Sequence, residues 1–304
     1  MTYNSRRQKI NKLIVVVGPN ASGKSEMAVA IAKRFNGEVV SADSRQVYKG
    51  MDIGSGKIKK SEMKGVAHHL LNVASPKSVF TVTRYRRLAL AAIGNIQKQG
   101  KAPILCGGTG FYIQAVIDGI AIPPVKPDWK LRRELEQKTA AQLFLMLKKI
   151  DPSRAENIDT KNPRRLIRAI EIVKSTGKPV PKPKKRPLPY PILVLGIKKS
   201  ERELKKLIET RTEKRIRAGM VAETARLKKS GLSWQKLEEL GLEYRAAARF
   251  LQKKIDREQM IEGIKKEDWQ YAKRQMTWFK KDSRTRWIKT PAQAAKLAQK
   301  YLSG

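Results

Sequence analysis

The stretch that most limits what this chain can fold into is an apolar run, Leu13–Val17, that stops at a glycine. A continuous run of this kind is typical of a strand buried on both faces of a parallel sheet. Residues 18–25 follow it and read Gly-Pro-Asn-Ala-Ser-Gly-Lys-Ser, which matches the phosphate-binding P-loop motif. An apolar periodicity over residues 25–35 predicts the helix that this motif requires. The sequence therefore predicts a strand, a phosphate loop and a helix in succession.

Short apolar runs recur at residues 38–42, 103–106 and 192–197, and helical patterns lie between them. Strands that alternate with helices indicate a parallel, helix-covered sheet. We predict an α/β fold with a P-loop NTPase-like parallel sheet core, whose first part spans residues 10–122. Because ligands of such sheets gather beyond the carboxyl ends of the strands, residues 18–25, Asp43 and residues 107–110 are expected to converge.

Residues 123–190 differ from this pattern, since they open and close with prolines and carry helical periodicity. We predict an inserted helical subdomain there. One helix begins at the N-cap Asp128 and runs to about residue 150, and a second is bounded by Asn162 and Gly177. Residues 191–304 are expected to complete the core with one strand and to be helical from residue 198 to the end. The last long helix has a basic outer side.

The net charge is large, with 66 Lys and Arg against 27 Asp and Glu in 304 residues, a formal charge of +39. This excess suggests a polyanionic partner, although lysine-rich lineages also carry such charge on solvated helix faces. No apolar run is long enough for a membrane span. The single Cys106 excludes an internal disulfide framework, so we expect a cytoplasmic location. The adjacent His68 and His69 have diverging side chains and are expected to serve packing or a loop hydrogen bond.

The phosphate loop has a defined chemistry. Its backbone N–H groups form a concave row at a helix N-terminus, Lys24 adds a cation, and the Ser25 hydroxyl is placed for Mg²⁺. These features suit a diphosphate or triphosphate, and nothing in the loop selects a nucleotide. Asp43 follows the second strand and could act as a metal partner, as a general base or merely as a cap. Thr109 could likewise be only a cap.

Several further motifs, in their order along the chain, resemble the tRNA dimethylallyltransferase (tRNA isopentenyltransferase) family. They are the phosphate loop, 41–48 (SADSRQVY), 50–54 (GMDIG), 68–70 (HHL), 107–112 (GGTGFY), 162–170 (NPRRLIRAI), 273–275 (KRQ) and 277–279 (TWF). The resemblance implies transfer of a dimethylallyl group from dimethylallyl diphosphate to the exocyclic amine, N6, of the adenosine immediately 3′ of the anticodon in tRNA. The sequence departs from the family pattern at Asn72, Gly56 and Arg215.

The resemblance also implies roles for individual residues. Asp43 is the expected base, and Thr109 is expected near the phosphates and the target adenine. The residues expected to bind diphosphate are Gly18, Asn20, Ala21, Ser22, Gly23, Lys24, Ser25 and Arg211, with Mg²⁺ at Ser25. The residues expected to contact the tRNA anticodon stem-loop are Asp43, Ser44, Arg45, Gln46, Thr109, Arg132, Arg164, Arg165, Leu166, Ile167, Arg168, Lys273, Arg274 and Gln275. We expect a monomer that does not bind membranes.

Two other functions share many of these features. P-loop kinases of nucleotides or small molecules have the same core, a basic lid and a carboxylate base. A non-catalytic RNA-binding NTPase would also use a phosphate loop and a positive surface. Supplying ATP or dimethylallyl diphosphate together with tRNA and Mg²⁺ separates prenyl transfer from these alternatives, because phosphate release from ATP without prenylation would favour them.

Overall fold

The computed structural model describes residues 11–120, 123–182 and 185–303. The chain divides into two compact units: unit 1 comprises residues 1–119 and 187–304, and unit 2 comprises residues 120–186. The boundaries of unit 2 lie within a few residues of the predicted 123 and 190. Within the described ranges, none of the helices combines the length and the apolar content that a bilayer span requires.

Unit 1 is built on a six-stranded sheet in the order β3-β2-β4-β1-β5-β6, and all five strand pairs are parallel. The strands are β1 Leu13–Val17, β2 Gly37–Ser41, β3 His68–His69, β4 Ala102–Gly107, β5 Ile192–Ile197 and β6 Thr285–Ile288. Because β4 lies between β1 and β2, the loops that follow these three strands emerge side by side at one edge. This order confirms the predicted α/β class.

Helices of unit 1 cover both faces of the sheet. The helices of the two units, in chain order, are α1 Lys24–Arg34, α2 Lys60–Met63, α3 Val82–Lys98, α4 Gly110–Ile117, α5 Trp129–Glu136, α6 Ala140–Ile150, α7 Pro152–Glu156, α8 Pro163–Thr176, α9 Glu201–Arg217, α10 Met220–Lys229, α11 Trp234–Glu239, α12 Leu242–Leu251, α13 Arg257–Lys280 and α14 Pro291–Ser303. All five residues of β1 are buried, and they alternate between two separate hydrophobic clusters, one on each face. This arrangement explains why β1 reads as a continuous apolar run.

Two predictions about secondary structure are wrong. Residues after 197 are not all helical, because Thr285–Ile288 pairs with β5 as an edge strand. The helix predicted from Asp128 to about residue 150 is two helices, α5 and α6, since Thr139 caps α6 by accepting a hydrogen bond from the N–H of Gln142. The predicted limits of α8 are confirmed: Asn162 is its N-cap and Gly177 ends it with φ +64°.

Unit 2 contains α5 to α8 and has its own core. Buried apolar side chains from these helices form one cluster that includes Leu135, Leu143, Leu147, Leu166 and Ile170. Leu166 and Ile170 lie one turn apart on α8, so the apolar side of this helix faces the centre of unit 2.

Candidate active site

The phosphate loop connects β1 to the N-terminus of α1. Gly23 caps α1 in a left-handed conformation with φ +88°, which directs the first N–H groups of the helix towards the loop interior. Two buried atoms in the loop, Ser22 Oγ and Asn20 Oδ1, have no hydrogen-bond partner among the described residues. A backbone cradle with orphaned polar atoms is suited to an anionic ligand that can bond to them.

Lys24 lies inside this loop. Its Nζ donates a hydrogen bond to Pro19 O at 2.6 Å. Burial lowers the pKa of Lys24 to about 8, an effect that the charge of Arg211 reinforces and that of Asp43 opposes. A bound diphosphate would add negative charge next to this ammonium group, so ligand binding and protonation of Lys24 favour each other.

The loop is held from outside by helix α13. Gln275 Oε1 accepts a hydrogen bond from Asn20 N at 2.7 Å, and Gln275 Nε2 donates to Gly108 O at 2.8 Å. The Gln275 side chain thus links the phosphate loop to the glycine-rich loop after β4. Only a glycine at 108 permits this contact, because a Cβ there would lie 2.3 Å from Gln275 Nε2.

Asp268, two helical turns before Gln275, makes a second connection. Its Oδ1 accepts a hydrogen bond from Asn20 Nδ2, and its Oδ2 accepts one from Arg211 Nη2, both at 2.8 Å. Arg211 therefore reaches the phosphate loop through Asp268. Burial lowers the pKa of Arg211 in spite of this carboxylate. Asp268 and the internal role of Gln275 are not predicted by the sequence, because neither residue type is expected on the buried face of a helix.

The carboxylate expected to act as a base is fixed by a local turn. Asp43 is half-buried immediately after β2, and its Oδ1 accepts hydrogen bonds from Arg45 N at 2.7 Å and from Gln46 N at 3.2 Å. Both bonds go to one oxygen, and the described residues supply no hydrogen bond to Oδ2. Asp43 therefore orders residues 43–46 and still presents one oxygen to a ligand.

Thr109 joins the two strand ends. Its Oγ1 accepts a hydrogen bond from Ser44 N at 3.0 Å, and its backbone N–H donates to Ala42 O at 3.2 Å. The loops after β2 and β4 are consequently in direct contact, which requires Gly107, where a Cβ would lie 2.2 Å from Ala42 O. The predicted convergence of residues 18–25, Asp43 and residues 107–110 is confirmed.

Tyr271 is a further residue at this edge that the sequence analysis missed. Its hydroxyl lies 3.5 Å from Gly108 O. Burial raises the pKa of Tyr271 to about 12, and the negative charge of Asp43 contributes to the increase. The Tyr271 hydroxyl therefore remains neutral close to Asp43. The spacing of the apolar residues on α13 does not indicate that Tyr271 lies at this site.

The side chains of Cys106, His68 and His69 have structural roles. Cys106 is buried, which raises the pKa of its thiol to about 12 and keeps it protonated. The side chains of the adjacent histidines diverge: His68 Nδ1 lies 2.9 Å from Val66 O, and His69 Nε2 lies 2.7 Å from Glu38 Oε2.

The arginines of unit 2 do not form one uniform surface. Glu171 is fully buried, and it accepts hydrogen bonds from Arg132 Nε at 2.8 Å, from Arg132 Nη2 at 2.7 Å and from Arg168. Arg164 is exposed, whereas Arg165 lies 3.8 Å from Asp159 in an exposed ion pair. Arg132 and Arg168 are therefore held within unit 2 by an internal carboxylate.

Three residues for which RNA contacts are predicted have buried side chains. Leu166 and Ile167 belong to the core of unit 2, where their side chains support the helix that carries the arginines of α8. Gln275 is also buried and uses both polar atoms within unit 1. Lys273 and Arg274, on the same helix, are exposed as predicted.

The residues that could hold a metal are few. Within residues 11–120, 123–182 and 185–303, no group of three or more His, Cys, Asp or Glu side chains could hold a metal ion. Ser25 is exposed in the first turn of α1, next to the phosphate loop. Mg²⁺ commonly takes one or two protein ligands and completes its shell with phosphate oxygens and water. This donor set therefore fits a Mg²⁺ ion that binds together with a diphosphate.

Comparisons with known proteins agree on one family. The model of the IPP transferase family matches residues 46–282. The chain is 39% identical over 284 residues to a tRNA dimethylallyltransferase from Syntrophomonas wolfei, covering 91% of each chain. It is 37% identical over 287 residues to one from Acetivibrio thermocellus, covering 92% of each.

Solved structures give the same result. The full-length tRNA isopentenylpyrophosphate transferase from Bacillus halodurans matches with a TM-score of 0.73 and 34% identity, over 96% of this chain and 97% of that one. A eukaryotic dimethylallyltransferase acting on tRNA matches with a TM-score of 0.73 and 28% identity, over 88% of this chain and 69% of that one.

Proposed function

The chain belongs to the IPP transferase family, and from this premise we propose that it transfers a dimethylallyl group from dimethylallyl diphosphate to N6 of the adenosine immediately 3′ of the anticodon in tRNA. The names of its relatives, which are tRNA dimethylallyl and isopentenyl transferases, support this function over the kinase alternative. The proposal rests on the position of Asp43 beside the phosphate loop. The segment that contains Asp43 is linked to the loop after β4 by the hydrogen bond between Ser44 and Thr109.

The acceptor half of the reaction belongs to Asp43. The lone pair of the adenine N6 is delocalised into the ring, so this nitrogen is a weak nucleophile. In the proposed step the N6 lone pair forms a bond to the allylic carbon, and the N6 proton passes to the carboxylate of Asp43. The oxygen of Asp43 that the local turn leaves without a hydrogen bond is the one that receives the proton.

The donor half belongs to the phosphate loop. The bond between the allylic carbon and oxygen breaks, and the diphosphate leaves with the electron pair. Backbone N–H groups at the start of α1, from residues 23–25, and the ammonium group of Lys24 stabilise the negative charge that develops on the leaving group. Arg211, held by Asp268 next to Asn20, adds positive potential at the same loop. Mg²⁺ bound at Ser25 would neutralise further charge on the diphosphate.

The decisive experiment is the substitution Asp43→Asn. The asparagine amide would retain an Oδ1 acceptor for the N–H groups of Arg45 and Gln46, so the turn persists while the base is lost. We expect the rate of N6 modification to fall by roughly 100- to 10,000-fold with tRNA affinity nearly unchanged. Mass spectrometry of tRNA nucleosides, after incubation with dimethylallyl diphosphate and Mg²⁺, measures the addition of one C5H8 unit to adenosine.

The matched control is Asp256→Asn, which removes one carboxylate at the exposed N-cap of α13, where asparagine caps equally well. This variant is expected to react like the wild-type protein. If phosphate were released from ATP, supplied in place of the prenyl donor, and no modified adenosine were formed, the kinase alternative would be supported. A D43N protein that bound tRNA much more weakly but reacted at the normal rate once saturated would show that Asp43 serves recognition only.

A further inference from the structure

The surface of unit 2 carries an aromatic side chain that the core does not use. Trp129 is the first residue of α5, and its side chain is 49% exposed. Among the described residues, the large exposed apolar side chains are Val79, Phe111, Trp129, Leu145 and Ile150, and Trp129 is the only tryptophan of this set.

One face of this indole has a rigid support. The guanidinium carbon of Arg132 lies 5.1 Å from the centroid of the Trp129 ring, within cation–π range. Arg132 is itself fixed by two hydrogen bonds to Glu171, from Nε at 2.8 Å and from Nη2 at 2.7 Å. Because Glu171 is fully buried, the guanidinium is oriented from inside unit 2. The indole therefore has a fixed layer beneath it and solvent on its exposed side.

The start of the helix is fixed by the same carboxylate. Asp128 accepts hydrogen bonds from the N–H groups of Lys130 and Leu131, and its own N–H donates to Glu171 Oε1 at 2.7 Å. Glu171 thus fixes the backbone of Asp128, the residue before Trp129, and the guanidinium of Arg132 beneath the indole. An exposed ring held in this way has already lost the conformational freedom that binding a flat partner would otherwise cost.

The charge of unit 2 identifies the kind of partner. Residues 120–186 contain 18 Lys and Arg against 7 Asp and Glu. The exposed neighbours of the ring along the chain include Lys126, Lys130 and Arg133. Cations that attract phosphates, around an aromatic ring with a free face, are the combination that binds unpaired nucleotides.

We propose that Trp129 is a base-stacking site, on which one unpaired base of the tRNA substrate lies against the face of the indole opposite Arg132. The inference rests on the proposed function for the identity of the RNA. It adds a contact in unit 2 that depends on aromatic stacking, whereas the arginines of α8 would act through charge.

Binding experiments test this site without the prenyl donor. We expect Trp129→Leu to weaken the binding of tRNA by roughly 5- to 150-fold, the range for loss of one stacked base. Because the substitution leaves the charge unchanged, the dependence of log Kd on log salt concentration should keep its slope. Trp129→Phe should lose less affinity, since it retains a ring.

Leu145→Ala is the matched control, because Leu145 is 59% exposed on α6 of the same unit. This variant is expected to bind tRNA with unchanged affinity. Thermal unfolding of each variant shows whether unit 2 remains folded, and Trp129→Phe tests the proposal if the leucine variant does not fold.

A direct probe identifies the base. Anticodon stem-loop RNAs with 2-aminopurine at each loop position in turn report stacking as loss of fluorescence. We expect one position to be quenched by the wild-type protein and to be brighter with Trp129→Leu. Equal affinity and equal quenching for the two proteins would overturn the proposal, as would a loss of self-association in Trp129→Leu, which would assign the ring to contact with a second copy.

The outcomes also separate this site from the proposed reaction. If the wild-type protein modifies adenosine while the Trp129 variants bind RNA normally, only the stacking site is wrong. If the Trp129 variants lose RNA binding while no variant or wild-type protein prenylates tRNA, only the reaction is wrong.

Discussion

Replacing Arg168 by alanine is expected to destabilise unit 2 by about 3 kcal/mol, a larger effect than a surface arginine would have. Removal of one partner of a buried ion pair typically costs about 3–5 kcal/mol, because the other charge stays buried. Glu171 is fully buried and would keep the two hydrogen bonds from Arg132, which places the loss at the lower end. The bond from Arg168 Nη2 to Val125 O, at 3.0 Å, would be lost as well.

The matched variant is Arg164→Ala, one turn earlier on α8. Arg164 is exposed, so its removal should change the stability of unit 2 by less than about 0.5 kcal/mol. If Arg164 contacts an RNA phosphate, the same variant should reduce the salt slope of RNA binding by about one unit or less. The two arginines, four residues apart, are therefore expected to affect different measurements.

Hydrogen exchange of the α5 and α8 amides in the full-length protein measures the local stability of unit 2. Faster exchange in Arg168→Ala than in Arg164→Ala is the expected result. Equal protection of both variants, with a salt slope lowered equally by both, would refute the structural role of Arg168 and return it to the RNA-binding surface.

The Glu171 carboxylate is expected to make the stability of unit 2 depend on pH. Burial alone would raise the pKa of Glu171, but the hydrogen bonds from Arg132 and Arg168 outweigh it and hold the pKa below its ordinary value. A carboxyl group whose pKa is lower in the folded state stabilises the fold above its unfolded pKa, about 4.3 for Glu. The contribution of Glu171 is therefore present at neutral pH and is lost as the pH falls below about 4.

Two further predictions concern the donor site. Because Lys24 has a pKa of about 8, kcat/KM for dimethylallyl diphosphate should decrease as the pH rises through about 8, and this step should vanish in a pH–rate profile of Lys24→Ala. Gln275→Leu should leave Asn20 N without its partner and Gly108 O with only the 3.5 Å contact from the Tyr271 hydroxyl. An unsatisfied buried group costs about 1–3 kcal/mol, so this variant should raise KM for the donor and lower Tm. The exposed Gln270→Leu on the same helix is the control, and equal KM values for the two variants would contradict the positioning role of Gln275.

Features that depend on local sequence were the ones that could be predicted. Helix α8 was delimited correctly because Asn162, Pro163 and Gly177 act on the backbone next to them. Strand β1 was recognised because burial on both faces makes every residue apolar. Helix α6 also carries a local signal, the capping box of Thr139 and Gln142, which marks the start of a new helix after α5.

Features that depend on tertiary partners could not be predicted from the same sequence. β6 is a four-residue edge strand in which only Ile288 is buried, so it lacks the apolar run that marked the central strands. Glu171 and Gln275 are buried polar residues, and each is stable there only because other segments supply its hydrogen bonds. Arg132 lies 39 residues from Glu171, and Asn20 lies 255 residues from Gln275. A periodic pattern relates residues only a few positions apart, so it cannot indicate contacts between residues with such separations.

The placement of Gln275 connects the two substrates of the proposed reaction. The inner face of α13 fixes the phosphate loop through Asp268 and Gln275, and its outer face exposes Lys273 and Arg274. An RNA bound to those two cations therefore contacts the helix that sets the shape of the donor cradle. Because Lys273, Arg274 and Gln275 are consecutive residues of one helix, a small shift of α13 on RNA binding would also move the Gln275 side chain. This movement would change the hydrogen bond that Gln275 accepts from the N–H of Asn20. Binding of tRNA and binding of the prenyl diphosphate should consequently be coupled, and Gln275→Leu should weaken that coupling while leaving the outer face of α13 intact.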